Sequence, residues 1–310
     1  MNKIYKRLII IHTMLTDAHC HPFDLARFFP GAEEERRSLG VFCAVSATDR
    51  EEFDYSEALA LKAKSDKAVG VLPCFAIHPQ MPRNVGSETG DWGLGTRDRN
   101  SDNNSASELY PVISNNNPRS LFNNNIALLE ELAKQGRLAA VGETGFDLYN
   151  SSYRETEAIQ DELFAIHLEI ALRYGLPLVL HIRRAMHKVF AADGKLKKCR
   201  AVVFHSWPGT VGEGQALLRR GINAFFSFGA TIMLNHREAM RCCSAFPEDR
   251  LLLETDAPYQ PLKSRPYSSW RDLPLILASA AALRREAGAA GSEPEELEKI
   301  VEVNFQATFN

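Results

Sequence analysis

The residues best suited to chemistry begin at Thr16-Asp17-Ala18-His19-Cys20-His21. On an extended strand alternate side chains share a face, so His19 and His21 project together and Cys20 turns away. Two imidazoles so spaced can grip one metal ion, and Asp17, on the same face, is placed to orient an imidazole by hydrogen bonding. Two later segments repeat a second design, an apolar run ending in histidine: Pro177-Leu178-Val179-Leu180-His181 and Ala201-Val202-Val203-Phe204-His205. Two more end in an acid: Leu138-Ala139-Ala140-Val141-Gly142-Glu143, with Thr144 and Gly145 completing a small-residue frame, and Leu251-Leu252-Leu253-Glu254-Thr255-Asp256. Each has an ordinary explanation alone: a chance H-x-H, a solvated turn carboxylate, a satisfied core histidine. Together, four histidines, a glutamate and an aspartate all close strand-like runs, which points to one metal centre.

The donor types set the chemistry. Mixed imidazole and carboxylate ligands without sulfur suit Zn2+, Mn2+ or Mg2+. Six ligands with a shared carboxylate fit two divalent ions, which clamp the attacking and leaving oxygens of a hydrolysis. Asp256 is placed to bind metal and to take a proton from activated water. Glu254 shares its strand face and is a candidate to support a ligand from behind. Arg183 lies on the face of His181 and can pair with a substrate phosphate or carboxylate. His78, in Ala76-Ile77-His78-Pro79, ends another apolar run; six ligands suffice without it, so it is assigned to substrate contact. His12, His167, His187 and His236 lack strand-end placement and are read as structural or surface residues.

The elements that must position these groups alternate. Strand-like runs fall near 15–20, 40–46, 69–76, 138–142, 177–182, 200–204, 222–228 and 250–255. Helical patterns fall near 51–64, 125–135, 154–174, 184–192, 212–220, 236–244, 272–287 and 295–308. The longest carries Ile159, Leu163, Ile166 and Ile170 on one stripe and stops at Gly175 and Pro177. Eight strands with interposed helices predict an α/β fold, a (β/α)8 TIM barrel of one domain, with active-site groups at the strand C-termini. A doubly wound open sheet gives similar alternation and is the structural alternative. Residues 84–125, rich in Asn, Ser, Gly and Asp, break the rhythm and read as a disordered insertion after the third strand; a lid is the sharper alternative. Residues 1–13 read as an N-terminal extension, with Met14 an alternative start; the barrel then occupies 14–310.

Bulk composition limits the partners. The 310 residues are 45% apolar and 24% charged, ordinary globular values, with a formal net charge of -3. That balance excludes a broadly basic nucleic-acid surface, although bound cations can still attract a phosphate-bearing substrate. The six cysteines form no C-x-x-C pair and read as reduced core residues, which favours the cytoplasm. No apolar run has membrane-spanning length. No stable protein partner is signalled.

The ordered set Asp17-Ala-His19-Cys-His21, Ile77-His78-Pro79, Gly142-Glu-Thr-Gly-Phe-Asp147, His181-Ile-Arg183, His205-Ser and Glu254-Thr-Asp-Ala-Pro258 resembles the TatD family of metal-dependent deoxyribonucleases, among the amidohydrolase-like barrels. The resemblance spans almost the whole chain outside the extension and the insertion. It implies that His19, His21 and Asp256 hold one ion, His181 and His205 another, and that Glu143 bridges them. It implies exonucleolytic hydrolysis of DNA, at single strands or ends, with His78 and Arg183 near the scissile phosphate. Pro22, Phe146 and Ser206-Trp207 depart from the usual pattern without removing a ligand, and the insertion bears on substrate range. Loops change substrates on such barrels. The rival readings are therefore a hydrolase of small cyclic amides, lactones or phosphoesters, and a non-enzymatic scaffold.

Overall fold

In the computed structural model, residues 14–84, 118–263 and 265–310 are described. The extension 1–13 and most of the Asn-rich segment lie outside them. Eight parallel strands form one sheet: β1 Thr16–Cys20, β2 Phe42–Ala47, β3 Val71–Phe75, β4 Ala140–Asp147, β5 Leu178–Arg183, β6 Val202–Phe204, β7 Ala224–Phe228 and β8 Leu251–Leu253. They are ordered in space as in sequence. A doubly wound sheet reverses its strand order at a switch point, so this ordering rules that alternative out. The ring is drawn together where β1 and β8 end: Asp256 N–H donates to His19 O (2.9 Å) and His21 N–H to Ala257 O (2.7 Å).

Side-chain volume explains why the strands curl into a barrel. The interior is filled largely by small or branched groups, among them Ala18, Ala44, Cys74, Ala140, Val179, Ala201 and Val203. Phe305 and Phe309 of the helix Pro294–Phe309 join this cluster, and Phe305 lies 5.1 Å from Phe42, the first residue of β2. That helix therefore plugs the N-terminal end and leaves the C-terminal end to the loops. The opposite strand faces carry larger apolar groups (Val45, Phe75, Leu180, Phe204, Phe226, Leu253) that pack with the surrounding helices. All six cysteines are buried and unpaired. No helix among the described residues is long and apolar enough to cross a membrane.

Three helices differ from the sequence expectations. The helix Pro118–Lys134 starts inside the segment read as an insertion. Proline suits a helix's first position, and the polar run that follows hides helical period, although Phe122 packs near Ile77, Met81 and Leu163. Two helices between β1 and β2, Pro22–Phe28 and Ala32–Leu39, have no counterpart in the predicted elements. The second is mostly charged; it is anchored by a buried Arg36 whose guanidinium donates to the carbonyls of Val41, Val69 and Gly70, a tertiary contact no local pattern reveals.

Candidate metal centre

The strand ends bring the predicted donors together. His19 lies on β1, Glu143 on β4 and His181 on β5; His21, His205 and Asp256 follow β1, β6 and β8. Glu143 reaches the centre because its neighbours are small. A Cβ at Gly142 would come 2.5 Å from Val179 Cβ, and one at Gly145 (φ 131°) would collide with the His181 carbonyl. Only glycine lets β4 lie this close to β5 on both sides of the acid. The β4–β5 register shifts between Val141 and Thr144, across Glu143.

Glu143 divides the site between its two oxygens. Its Oε2 faces His19 Nε2 (3.1 Å) and His21 Nε2 (3.7 Å). Its Oε1 faces His181 Nδ1 (2.7 Å), His205 Nε2 (2.9 Å) and His78 Nε2 (3.2 Å). Asp256 Oδ1 closes the first half, 3.6 Å from both His19 Nε2 and His21 Nε2. Donor atoms bound about 2.1 Å from one ion lie about 3–3.5 Å apart, close to these separations. Three sets fall within ligand range: His19, His21 and Glu143; His19, His205 and Asp256; His78, Glu143 and His181. His78, kept out of the ligand set by sequence, thus sits inside a donor group.

The electrostatics fit a cation. Burial opposes ionisation of Glu143, but the imidazoles of His205, His78, His19 and His181 hold its carboxyl well below the usual range. Burial likewise works against the charge on Asp256, yet His21, His205 and His19 hold it below the ordinary value. The same carboxylates overcome burial to raise His205 well above its usual value, through Glu143 and Glu254, and His21 to about 9, through Asp256 and Glu143. His19 and His78 are pushed down, chiefly by burial. Protons thus gather on imidazoles to balance buried acids, a task that divalent ions perform when they displace those protons.

The supporting contacts are only partly those expected. Glu254 Oε1 accepts from His205 Nδ1 (3.3 Å) and from Ser206 N–H (2.7 Å), while its buried Oε2 has no partner. Asp17 does not meet an imidazole. Its Oδ1 accepts the N–H groups of His19 (3.2 Å) and Thr255 (3.0 Å), and its Oδ2 accepts the Thr255 hydroxyl (2.6 Å). It therefore ties β1 to the segment carrying Asp256, and burial raises its carboxyl to about 7 despite those donors. Ser46 Oγ lies 3.2 Å from His19 Nδ1 and Asp147 Oδ2 3.2 Å from His181 Nε2. Neither was assigned a role from sequence; Asp147 shares the strand parity of Glu143, a signal that was readable, whereas Ser46 carries none.

Gln260 is a further addition: its Nε2 donates to Asp256 Oδ2 (2.7 Å) and Ser206 Oγ (2.6 Å). Asp256, Ser206 and Gln260 all have positive φ (53°, 46° and 54°), unfavourable for side-chain-bearing residues and here held by mutual hydrogen bonds. Arg183 sits beside the centre, its Nη1 3.4 Å from Asp147 Oδ2. The departures from the family pattern are accommodated. Pro22 opens a helix, Phe146 lies 4.7 Å from Phe164, and Trp207 packs on Phe204, Phe226 and Phe246 beneath the site. Of the other histidines, His167 is buried with Nδ1 2.6 Å from Thr144 Oγ1, and His236 Nδ1 caps a helix by accepting Ala239 N–H; His12 lies outside the described residues.

Comparison with known proteins agrees with this architecture. The chain is 35% identical over 188 residues to the 3'-5' ssDNA/RNA exonuclease TatD of Klebsiella pneumoniae (strain 342), covering 57% of this chain and 67% of that protein. It is 33% identical over 190 residues to the enzyme of the same name from Cronobacter sakazakii, covering 59% and 69%. The crystal structure of the TatD homologue YjjV from Escherichia coli superposes with a TM-score of 0.71 at 24% identity, over 96% of this chain and 98% of that one. An uncharacterized amidohydrolase from Saccharomyces cerevisiae shares the fold at 16% identity, with a TM-score of 0.69, over 96% and 100%. The family model described as TatD related DNase matches residues 16–310, so the chain belongs to the TatD-related DNase family of metal-dependent hydrolases.

Proposed function

We propose that this protein is a two-ion phosphodiesterase that removes nucleotides from the ends of single-stranded DNA. The observation that carries the reading is the division of Glu143, whose two carboxylate oxygens face separate groups of imidazoles. Relatives named as 3'-5' ssDNA/RNA exonucleases supply the substrate class. His19, His21 and Asp256 with Glu143 Oε2 would hold one ion, and His181 and His205 with Glu143 Oε1 the other. Mg2+, Mn2+ and Zn2+ all match these donors. When bound, the ions supply positive charge for the phosphate oxygens and make water acidic enough to attack near neutral pH.

The chain's own groups do the rest. Gln260 donates to Asp256 Oδ2 and fixes the carboxylate with Oδ1 toward the ion position, where Asp256 would orient the attacking water and take its proton. Glu254 fixes His205 from behind and Ser46 fixes His19, so these imidazoles would meet an ion without reorganising. His78 and Arg183 flank the second half of the site and are assigned to the scissile phosphate, with Asp147 holding Arg183. The deep placement of the ligands keeps bulk water from competing; His19 is 1% exposed and Glu143 3%. The test is cleavage of 5'-labelled single-stranded DNA with added Mg2+ or Mn2+, with chelator, and by the variant Glu143→Ala. Metal-dependent shortening by the wild type, absent from the variant, is expected. Equal shortening in chelator, or by the variant, would overturn the reading.

A further inference from the structure

Beside the candidate metal centre, where β4 and β5 end, stands a surface cluster of which the proposed hydrolysis uses only Arg183. Among the described residues, Tyr149 is one of the few large apolar-bodied side chains left open, 46% exposed. Two guanidinium groups lie over its ring, Arg183 at 4.3 Å and Arg184 at 4.6 Å from the centroid. The cluster is tethered: Arg184 Nη1 donates to Tyr149 O (3.1 Å), and Arg154 Nη1 to Leu148 O (3.3 Å). Arg184 has a positive φ of 55°, a backbone state that needs surrounding contacts to persist. Contacts lead inward without a break, from Tyr149 to Arg183, to Asp147 Oδ2 and to His181. On a chain with net charge -3, two arginines therefore gather over one exposed ring next to the candidate ligands, with Arg154 bonded to the backbone beside it.

We infer that Tyr149, with Arg183 and Arg184, forms a nucleobase-stacking subsite for a single-stranded nucleic acid. This inference rests on the phosphodiesterase reading and adds where the strand is held. An exposed ring with two guanidinium groups over it presents an aromatic, cationic surface. Bases stack on aromatic rings and on guanidinium planes alike, and the charge suits the flanking phosphates. A base on this surface leaves its own phosphate near Arg183, on the side of His181. Stacking reads no base edge, so the subsite tolerates any base but requires one. It also needs an unpaired strand, since a base held in a duplex cannot lie on a protein ring.

The test uses the full chain with Mg2+ or Mn2+ and 5'-labelled DNA ten-mers, intact or with one abasic site at each of the three 3'-terminal positions. The wild type should lose about tenfold or more in kcat/KM at one abasic position, within the range for base–aromatic stacking. Tyr149→Ala should show a similar loss on the intact strand, chiefly in KM, with no further loss from the abasic site. Tyr149→Phe should keep the wild-type discrimination, because its ring remains. An unchanged melting temperature and metal content in Tyr149→Ala separates lost stacking from a disturbed fold. Discrimination retained by Tyr149→Ala, or equal cleavage of intact and abasic strands by the wild type, would overturn the inference while leaving the nuclease reading in place. Absence of cleavage of every strand by the wild type would remove both.

Discussion

Asp17→Ala should unfold the protein far more readily while removing no metal ligand. The carboxylate accepts three hydrogen bonds, from His19 N–H, Thr255 N–H and the Thr255 hydroxyl, and all partners are buried. Truncation strands two backbone donors and frees the hydroxyl, at about 1–3 kcal/mol for each buried donor left unpaired. Because burial raises the carboxyl to about 7, its charge is not fully present at neutral pH, and the lower part of that range applies. The expected loss is about 3–5 kcal/mol, a large share of a typical domain's stability. Asp17→Asn keeps an acceptor for the two N–H groups and reverses only the contact to Thr255, so it should lose about 1–2 kcal/mol. Urea unfolding of the chelator-treated protein at pH 7, followed by circular dichroism, measures both. The β1–β8 tie also sets the spacing of His19 and Asp256, so Mn2+ binding should weaken in the same order. A midpoint for Asp17→Ala within error of the wild type would show that Asp17 does not hold the seam.

Asp256→Asn should lower kcat by roughly 10²–10⁴-fold, the usual size of a general-base contribution, with little change in melting temperature; wild-type turnover would remove Asp256 from proton transfer. Glu254→Ala leaves His205 Nδ1 and Ser206 N–H without their acceptor and should weaken binding of one Mn2+ by about 10–100-fold in titration calorimetry. Unchanged affinity would mean that His205 is held by other contacts. Burial lowers His167 to about 3, so between about 6.5 and 3 the unfolded chain binds a proton that the folded chain refuses. Stability from this group is therefore intact above 6.5 and falls by up to about 1.4 kcal/mol per pH unit on acidification. His167→Leu should be weaker at pH 8, through the orphaned Thr144 hydroxyl, yet show a shallower fall in urea midpoint from pH 6.5 to 4.5; an equal slope would place the acid sensitivity elsewhere.

The fold was readable because most strands are, or begin as, short apolar runs, and the strand ends carried the donors. Thus His181 and His205 could be placed at one face from sequence alone. What escaped depends on contacts between distant segments. Asp17 has the strand parity to face an imidazole, yet the drawing together of β1 and β8 turns it to Thr255, 238 residues away. Ser46 and Gln260 are ordinary polar residues until the barrel brings them beside His19 and Asp256. His78 looked dispensable by counting ligands; only the distance to Glu143 shows it within a donor group. The helix Ala32–Leu39 hid because its main anchor is a buried arginine and not an apolar stripe.

Metal stoichiometry decides whether Glu143 joins two cation positions. Equilibrium dialysis of the metal-stripped protein against Mn2+, read by elemental analysis, should give two ions per chain for the wild type. Glu143→Ala, at the same free Mn2+ and with the fold intact by circular dichroism, should retain at most one. Two ions held with wild-type affinity by Glu143→Ala, or a wild type that saturates with one, would show that Glu143 does not join two cations.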